Sequence, residues 1–199
     1  MPDEPESFRM SKLIYITNTS LDGYIEDESG AFDWGNADQV HPLVVELLRP
    51  VGTFLYGRRL YETMAYWDTP VQDYPPEYRD FAQVWQERDK IVFSRTLTQA
   101  ATRKTRVERE FDLAGVRRLK QESKLDLCIG GAEIAAVALR AGLVDECHVL
   151  LHPVFLGAGK PAFSADLRLN LELLAARRVG TKVTHVHYRI RADDDTSSR

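Results

Sequence analysis

Cysteine is scarce in this sequence, and long apolar runs are absent from it. Only Cys128 and Cys147 occur among 199 residues, and both lie in apolar segments typical of buried free thiols in a reducing compartment. A scaffold held together by disulfides is therefore excluded. No apolar run approaches the ~18–20 residues that a membrane-spanning helix needs. Hydrophobic residues nevertheless make up 44% of the chain, which together with its length favours one globular domain.

Excess positive charge is missing as well. The chain carries 26 Lys and Arg against 30 Asp and Glu, a formal net charge of −4, whereas a nucleic-acid-binding surface usually needs a basic excess. The first residues contain no apolar segment typical of a signal peptide. We therefore expect a cytoplasmic protein without nucleic-acid or membrane partners. Residues 1–11 and 192–199 are predicted to be disordered, and residues 12–191 to form the folded domain.

Strands and helices alternate along the predicted domain. Segments rich in Ile, Val, Leu, Phe and Tyr predict strands at 12–17, 52–57, 90–95, 125–131, 146–156 and 181–190. Helices are predicted at 41–49, 77–88, 113–123 and 132–142. This alternation favours a single-domain α/β fold with a central, mostly parallel mixed sheet flanked by helices. The last two strands lack a helix between them and are expected to be antiparallel.

Several familiar site motifs are incomplete. The stretch GAGKP (157–161) resembles the end of a phosphate-binding P-loop, but Val154 replaces its first glycine and Pro161 replaces the Ser or Thr that binds magnesium. No G-x-G-x-x-G follows a predicted strand, and no G-x-S-x-G occurs. These features argue against a P-loop ATPase, an ordinary dinucleotide-binding fold and an α/β-hydrolase.

The histidines do not form a metal-binding motif in the sequence. His148 and His152, like His185 and His187, lack supporting acidic or Cys ligands, and no C-x-x-C occurs. We therefore expect packed or solvated histidines and no metal site. Alternation in segment 181–190 places His185 and His187 opposite its apolar face, which predicts a half-exposed strand near a sheet edge.

Three predicted strands end in residues suited to an anion. Gly57 and Arg58 follow one strand, Ser94 and Arg95 end another, and Gly130–Gly131 join a third directly to a helix. Ligands collect at the carboxyl ends of parallel strands, and a helix N-terminus offers free N–H groups to a phosphate. The alternative for the two glycines is a tight turn without a ligand. Together, the three ends predict a site for an anion with more than one phosphate.

Five motifs, in order along the chain, resemble the dihydrofolate-reductase-like superfamily. Within it they most resemble the reductase domain of the bifunctional riboflavin-pathway deaminase/reductase and its stand-alone relatives. The motifs are TNTSLDGYI (17–25), LYGRRLYE (55–62), IVFSR (91–95), CIGGAEI (128–134) and PVFLGAGKPAF (153–163). The resemblance covers about residues 12–190. It implies a dihydrofolate-reductase-like fold, NADPH as cofactor and, because such relatives are often dimers, a homodimer.

The resemblance also implies which residues contact the cofactor. Arg58, Ser94 and Arg95 would hold the adenosine 2′-phosphate, a role that suits the bidentate arginine side chain. The backbone of residues 130–133 would bind the pyrophosphate, and Asn18 and Ile25 would contact the nicotinamide. The full set is Asn18, Ile25, Gly57, Arg58, Ser94, Arg95, Gly130, Gly131, Ala132 and Glu133.

The substrate side follows from the same resemblance. The riboflavin-pathway enzyme reduces 5-amino-6-(5-phosphoribosylamino)uracil at the ribose C1′. Asp22, Asp33 and Trp34 would line the cleft for such a substrate, with Asp33 binding a ring N–H or relaying a proton. The alternative is that Asp22 is a turn residue and that Asp33 caps the loop before Trp34.

Aromatic residues and a lysine complete the predicted substrate contacts. Tyr61 and Trp67 follow the Gly-Arg strand, where they would stack on a flat heterocycle or simply cover the core. Lys160, in the Gly-rich stretch, would meet a substrate phosphate, unless that stretch is only a bend between strands.

Two other functions remain open at this point. A dihydrofolate or pterin reductase carries a carboxylate near the start of its first helix, but the family spacing places His41 there, with Asp33 and Asp38 out of register. A non-catalytic nucleotide-binding module would keep the cofactor cleft and lack a proton donor. The resemblance favours the riboflavin-type reductase over both.

Overall fold

The computed structural model describes residues 10–35 and 37–191 of the chain. Within them, the strands are β1 (Leu13–Thr19), β2 (Tyr24–Glu26), β3 (Val51–Gly57), β4 (Asp89–Phe93), β5 (Thr105–Glu108), β6 (Asp126–Gly130), β7 (Glu146–Leu151), β8 (Lys160–Pro161), β9 (Asn170–Val179) and β10 (Val183–Arg191). The helices are α1 (Ala37–Leu48), α2 (Arg58–Met64), α3 (Pro76–Glu87), α4 (Leu113–Glu122) and α5 (Ala132–Arg140). Two short 3₁₀ segments, Ala65–Asp68 and Val71–Asp73, separate α2 from α3.

Eight strands form one sheet, in the order β5–β4–β3–β6–β1–β7–β10–β9. The first six are parallel to one another, whereas β10 runs antiparallel to both β7 and β9. Strands β2 and β8 pair in a separate antiparallel sheet. The predicted α/β class, with a mostly parallel sheet and antiparallel C-terminal strands, is confirmed.

Both faces of the central strands of the sheet are buried. Tyr15, Leu55 and Ile129 pack on the side of α4 and α5, while the neighbouring residues Ile14 and Cys128 pack on the opposite side, against a cluster that includes α3. This explains why residues 13–16 of β1, 54–56 of β3 and 127–129 of β6 are continuous apolar runs instead of alternating. A slip of one residue would exchange the two faces of a strand, so the packing also fixes the register.

The C-terminal end of the sheet differs from the prediction. Residues 170–179 are rich in Leu, Ala, Glu and Arg, which favour helices, yet they form the outermost strand, β9, because the chain reverses at Gly180 and pairs along β10. Strand β10 is therefore not at the edge. The predicted strand 146–156 ends at Leu151, and the sequence analysis also misses β2, β5 and β8.

Two predicted boundaries need correction. Helix α1 begins at Ala37 rather than at residue 41, so Pro42 lies inside the helix and not in its first turn. Ser11, predicted to be disordered, is buried, and its hydroxyl donates a hydrogen bond to the Lys120 carbonyl. Residues 1–9 and 192–199 lie outside the described residues.

Within the described ranges, every helix is too short or too polar to span a bilayer.

The two-stranded sheet fastens the Gly-rich segment 157–161 to the chain that follows β1. Gly159 has a φ of +140°, and a Cβ at this position would overlap the carbonyl oxygen of Glu26 and lie 2.9 Å from Asp27 Cα. Glycine is thus needed both for its backbone conformation and for the close approach of the two segments. The stretch that resembles a P-loop end is a packed connection between strands.

We expect Gly159→Ala to lower the free energy of unfolding by about 3–4 kcal/mol, because the new methyl group would force β2 and β8 apart. Gly157→Ala is the matched control. Its φ is +79°, but nothing lies within 4 Å of its Cβ position, so only about 1–2 kcal/mol of backbone strain is expected. Urea unfolding followed by circular dichroism measures both losses, and equal losses would contradict the close approach.

Candidate functional site

The register of the sheet brings the three predicted anion-binding strand ends to one edge. Gly57 lies opposite Phe93 in the β3–β4 pair, so Ser94 is one residue beyond that pairing. Tyr56 lies opposite Gly130 in the β3–β6 pair. The three ends are therefore neighbours in the folded chain, which is the convergence that the sequence predicts.

Helix α5 begins at this edge without a side-chain cap. Gly131 is its N-terminal cap residue and has a φ of +102°, a conformation that favours glycine. A helix leaves its first N–H groups without intrahelical acceptors, so the start of α5 presents donors to a ligand. Glycine is required at position 130 because of packing, since a Cβ there would lie 2.5 Å from Leu60 and 3.0 Å from Tyr56. The expected close approach of a ligand therefore concerns Gly131, while Gly130 serves the packing of the protein.

An open pocket of about 550 Å³ lies beside the start of α5, and its volume is typical of small-molecule sites. We call it the β4–β5 pocket. It is lined by residues 93–95, 109–111, 133 and 134. Arg95 and Arg109 contribute positive charge to its wall, and Glu110 and Glu133 contribute negative charge.

Arg109 shapes this pocket, and the sequence analysis misses it. Its Nη1 donates hydrogen bonds to the carbonyl oxygens of Ser94, Arg95 and Leu97, at 3.4, 3.1 and 2.9 Å. The Ser94 hydroxyl oxygen in turn accepts a hydrogen bond from the Leu97 N–H at 2.9 Å. The segment after β4 is thus fixed from both sides, while the Arg95 side chain stays exposed. Arg109 directly follows β5 (Thr105–Glu108). A sequence prediction of that strand would have placed Arg109 at the same edge of the sheet.

Arg58 opens α2 directly after Gly57 and therefore lies at the same edge. Its Nη1 is 3.4 Å from Glu62 Oε1, and the two side chains are 46% and 49% exposed. Exposed pairs of this kind contribute little to stability, because water screens the charges. The Arg58 guanidinium thus remains able to bind an anion.

Lys160 lies beside the turn predicted to bind the cofactor pyrophosphate. Its Nζ is 3.3 Å from Oε1 of Glu133, in the first turn of α5. The expectation that Lys160 meets a substrate phosphate stays a prediction. The geometry places its ammonium group next to the turn that was predicted to bind pyrophosphate.

The ends of β1 and β7 form a second group, centred on His152. This side chain is 1% exposed, and its Nε2 is 3.0 Å from Oδ1 of Asn18. The Trp34 indole packs edge-on against it, with ring centroids 5.8 Å apart. Burial lowers the pKa of His152, so the ring is neutral at pH 7 and donates its Nε2 proton to the amide oxygen. The sequence analysis misses this role because the predicted strand 146–156 runs past the residue.

Asp22 anchors the turn after β1. Its carboxylate oxygens accept hydrogen bonds from the backbone N–H groups of Leu156 at 3.1 Å and Gly157 at 2.7 Å. Desolvation raises the pKa of Asp22. Hydrogen bonds from Ser20 and from these two N–H groups lower the pKa by a larger amount, so the net pKa is below its usual range. The geometry supports the turn-residue interpretation, and contact with a substrate stays a prediction.

Asp33, the predicted catalytic residue, is exposed on the turn formed by residues 33–35. The indole N–H of the adjacent Trp34 donates to the Ala31 carbonyl at 3.2 Å, which holds the ring against His152. Ile25 is half-buried in the middle of β2. The roles of Asp33 and Ile25 stay predictions.

Tyr61 belongs to the core, which corrects its prediction as a substrate contact. Its side chain is 1% exposed, and its hydroxyl oxygen accepts hydrogen bonds from the N–H groups of Ala101 at 2.8 Å and Thr102 at 3.1 Å. Because α2 starts at Arg58, the fourth residue of the helix points inward and not along the sheet edge.

Trp67 lies in a half-buried aromatic cluster between α1 and α3. Its ring centroid is 4.7 Å from that of Phe81 and 5.8 Å from that of His41. The His41 Nδ1 is buried and has no hydrogen-bond partner among the described residues. Burial lowers the pKa of His41, and the nearby charge of Asp38 opposes this only in part. A neutral imidazole thus stands on α1 at the position where the family spacing predicts the carboxylate of a folate reductase.

Comparison with known proteins identifies the family. The family model described as the RibD C-terminal domain matches residues 11–185. The uncharacterized protein YyaP of Bacillus subtilis (strain 168) is 28% identical over 184 residues, which is 92% of this chain and 96% of YyaP.

Solved structures share the fold. A putative riboflavin biosynthesis protein from Shewanella sp. PV-4 superposes with a TM-score of 0.73 at 24% identity, over 91% of this chain and 99% of that protein. A dihydrofolate reductase from Enterococcus faecalis, complexed with NADP(H), superposes with a TM-score of 0.62 at 15% identity, over 92% and 98% of the two chains. The dihydrofolate-reductase-like fold that the motifs imply is therefore confirmed.

We expect His152→Gln to make the stability of the protein less dependent on pH. Burial keeps the folded-state pKa of His152 below the unfolded value, so the unfolded chain binds the proton first as the pH falls. The stability that the neutral ring provides is complete above about pH 6.5 and is lost as the pH falls toward the folded-state pKa. Glutamine keeps an N–H donor for Asn18 but does not titrate. The slope should therefore decrease by at most one proton, about 1.4 kcal/mol per pH unit.

Urea unfolding of the wild type and the His152→Gln variant between pH 7 and pH 5 measures this difference. Wild-type protein shows the combined slope of all its histidines, so the change between the two proteins isolates His152. Parallel slopes would contradict the buried, neutral state of the ring.

Proposed function

Because the chain belongs to the RibD C-terminal domain family, we propose that it is an NADPH-dependent reductase acting on a small heterocyclic or ribosylamino substrate of the 5-amino-6-(5-phosphoribosylamino)uracil type. The observation that carries this proposal is the convergence of Gly57–Arg58, Ser94–Arg95 and the uncapped start of α5 at one sheet edge. Such an edge suits a ligand with several phosphates.

The residues at this edge fit a dinucleotide with an additional phosphate. Arg58 and Arg95 are exposed there, and each guanidinium can donate two parallel hydrogen bonds to the 2′-phosphate. Arg109 is already bound to three carbonyl oxygens, so it positions Arg95 instead of contacting the phosphate. The adenosine would occupy the β4–β5 pocket, against the apolar side chains of Phe93 and Ile134.

The start of α5 would hold the pyrophosphate. Its free N–H groups and the positive end of the helix dipole favour an anion, and the Lys160 ammonium adds a full charge beside the first turn. The ion pair with the exposed Glu133 keeps this charge beside the first turn of α5.

The second group of residues would orient the nicotinamide. When bound, NADPH supplies the hydride. His152 fixes the Asn18 side chain through its Nε2 proton, and the Trp34 ring shields this region from water. The contribution of the chain is therefore orientation and exclusion of solvent.

Reduction of a C=N or C=O bond also consumes one proton, which goes to the nitrogen or oxygen while the hydride goes to carbon. Asp33 is our candidate for relaying this proton, because its carboxylate is exposed beside Trp34. His152 is unsuited, since its ring is neutral and its proton is bound to Asn18. The half-buried Trp67 offers an aromatic contact for a heterocycle, whereas the His41 Nδ1 is buried and does not face solvent. The absence of a carboxylate at position 41 favours a pyrimidinone over a pterin.

We expect Arg58→Ala and Arg95→Ala each to weaken NADPH binding by about 10–100-fold, because each removes charge-assisted hydrogen bonds to the 2′-phosphate. NADH, which lacks that phosphate, should lose less than about threefold. Titrations followed by tryptophan fluorescence measure both constants. Arg49→Ala, which removes an exposed arginine at the end of α1, is the control and should change neither. Equal losses for the two cofactors would reject the assignment.

We expect the protein to oxidise NADPH when 5-amino-6-(5-phosphoribosylamino)uracil is added, and more slowly with dihydrofolate. Asp33→Asn should lower kcat by about 100-fold, because general acid catalysis contributes at least this factor, while leaving the NADPH affinity unchanged. The exposed Asp38→Asn on α1 is the control. Absorbance at the NADPH band measures turnover. Tight NADPH binding without turnover on either substrate would instead establish a nucleotide-binding module.

A further inference from the structure

Three histidine rings are stacked between β7 and β10. His148 lies opposite His187 in this antiparallel pair, and Leu150 lies opposite His185, so the alternation of side chains along a strand places the three rings on one face of the sheet. The ring centroids of His148 and His187 are 3.9 Å apart with an interplanar angle of 17°, and those of His148 and His185 are 5.2 Å apart with an angle of 10°. We call His148, His185 and His187 the histidine stack.

The hydrogen bond within the stack cannot persist when both of its rings are protonated. The His148 Nδ1 is 3.0 Å from the His185 Nε2, and a hydrogen bond between two ring nitrogens requires a proton on one of them and a lone pair on the other. A protonated imidazole offers no lone pair, because both of its nitrogens are donors. The second nitrogen of His185, Nδ1, is buried and has no partner among the described residues. Protonation of both rings would therefore break the bond and leave a buried donor without an acceptor.

Within the part of the chain that the structure describes, Glu146 is the carboxylate in contact with the stack, and two other groups already share it. Its Oε2 is 3.1 Å from the His187 Nε2, and its Oε1 is 2.7 Å from the Lys12 Nζ. The Glu146 side chain is 7% exposed, so its interactions are only weakly screened. A positive charge on His148 would therefore have no carboxylate of its own, and it would lie against the neighbouring rings.

Burial keeps the two hydrogen-bonded rings neutral at pH 7. It lowers the pKa of His148 to about 3 and that of His185 to about 4. The neighbouring His187 lowers both pKa values further, and Glu146 opposes this only in part at His148. Neutral rings keep the hydrogen bond between them, so the stack holds β10 on β7 in addition to the backbone ladder.

The other charged groups around the stack come from α1, β9 and β10. Arg177 of β9 lies opposite His185 and adds to the lowering of the pKa of that ring by burial, whereas Glu46 of α1, which is 3.5 Å from Arg177, opposes it. Arg189 of β10 is paired with Glu172 at 2.8 Å. Water screens these exposed pairs, so the buried rings determine how this region responds to protons.

We propose that the histidine stack makes the attachment of the β9–β10 hairpin to β7 sensitive to acid. While His148 and His185 are both neutral, the hairpin stays attached; when both are protonated, it separates from β7. The turn of the hairpin is also bound to α1, because the Thr181 N–H donates a hydrogen bond to Gln39 Oε1 at 3.0 Å, so separation would loosen α1 as well. This inference does not depend on the proposed reductase function.

The pH range of the separation follows from where the protons bind. In the separated hairpin the two rings are in water, where the pKa of histidine is about 6.5, whereas burial lowers both values in the attached hairpin. Attachment is therefore complete above about pH 6.5 and is lost as the pH falls toward the lowered pKa values. Below about pH 6 the separated form binds two more protons, so the equilibrium constant for separation should rise by about 100-fold per pH unit.

Hydrogen–deuterium exchange of the full-length chain, resolved by peptide and corrected for the intrinsic effect of pH on exchange, measures this constant. Between pH 7.5 and pH 5, the protection of β9 and β10 should fall by about 1,000-fold, to at least about tenfold below that of β3 and β6. His148→Gln and His185→Gln each remove one proton from the equilibrium, so the fall should decrease to about 30-fold.

His41→Gln is the control, since this half-buried histidine lies outside the stack, and it should leave the fall in hairpin protection unchanged. An NMR titration of the wild type decides the question even where a stack variant fails to fold: the His148 and His185 rings should stay neutral down to pH 5 in the attached hairpin. Titration of either ring near pH 6.5 with the hairpin still protected would overturn the proposal. So would constant hairpin protection, an equal fall in the two stack variants, or equal protection of β10 and β3 at pH 5.

Discussion

Parallel pairing of strands whose two faces are both buried is the constraint on which the other features depend. A parallel strand can be followed by its neighbour only after the chain crosses back over the sheet, so every crossover leaves from the same edge. Gly57, Gly130 and His152 lie at or directly after the ends of β3, β6 and β7. They come to one edge without any specific attraction among them. The proposed cofactor site is thus a consequence of topology, and local residues only refine it.

Two of the side chains proposed to bind phosphate form weak ion pairs with glutamates. Arg58 is paired with Glu62 and Lys160 with Glu133, and all four side chains except that of Lys160 are well exposed. Exposed pairs contribute at most about 1 kcal/mol, whereas hydrogen bonds between a charged donor and a phosphate contribute about 1.5–3 kcal/mol. A phosphate can therefore displace the carboxylates. Glu133 also sits in the first turn of α5, where the helix dipole favours negative charge, so its position stays favourable while the site is empty of anions.

The buried strands could be predicted from the sequence because burial of both faces leaves continuous apolar runs. Strand β9 could not, since its exposed positions carry residues that favour helices, and only its pairing with β10 makes it a strand. The motifs identified the neighbourhood of the site but not the direction of its side chains. Tyr61 follows the Gly-Arg motif closely and yet points into the core, and Lys160 reaches α5 through the β2–β8 pairing. The role of His152 was missed because the strand predicted at 146–156 extends beyond Leu151, where β7 ends.

Strand β7 runs from one end of the parallel strands to the other, and its length separates the residues at its start from those at its end. Glu146 starts the strand and His152 follows its end, which at about 3.3 Å per residue places them roughly 20 Å apart. Residues 147–150 are buried, and β7 pairs with β1 on one side and with β10 on the other. The ion pairs of Glu146 with Lys12 and His187 are therefore separated by the width of the sheet from the His152–Asn18 hydrogen bond.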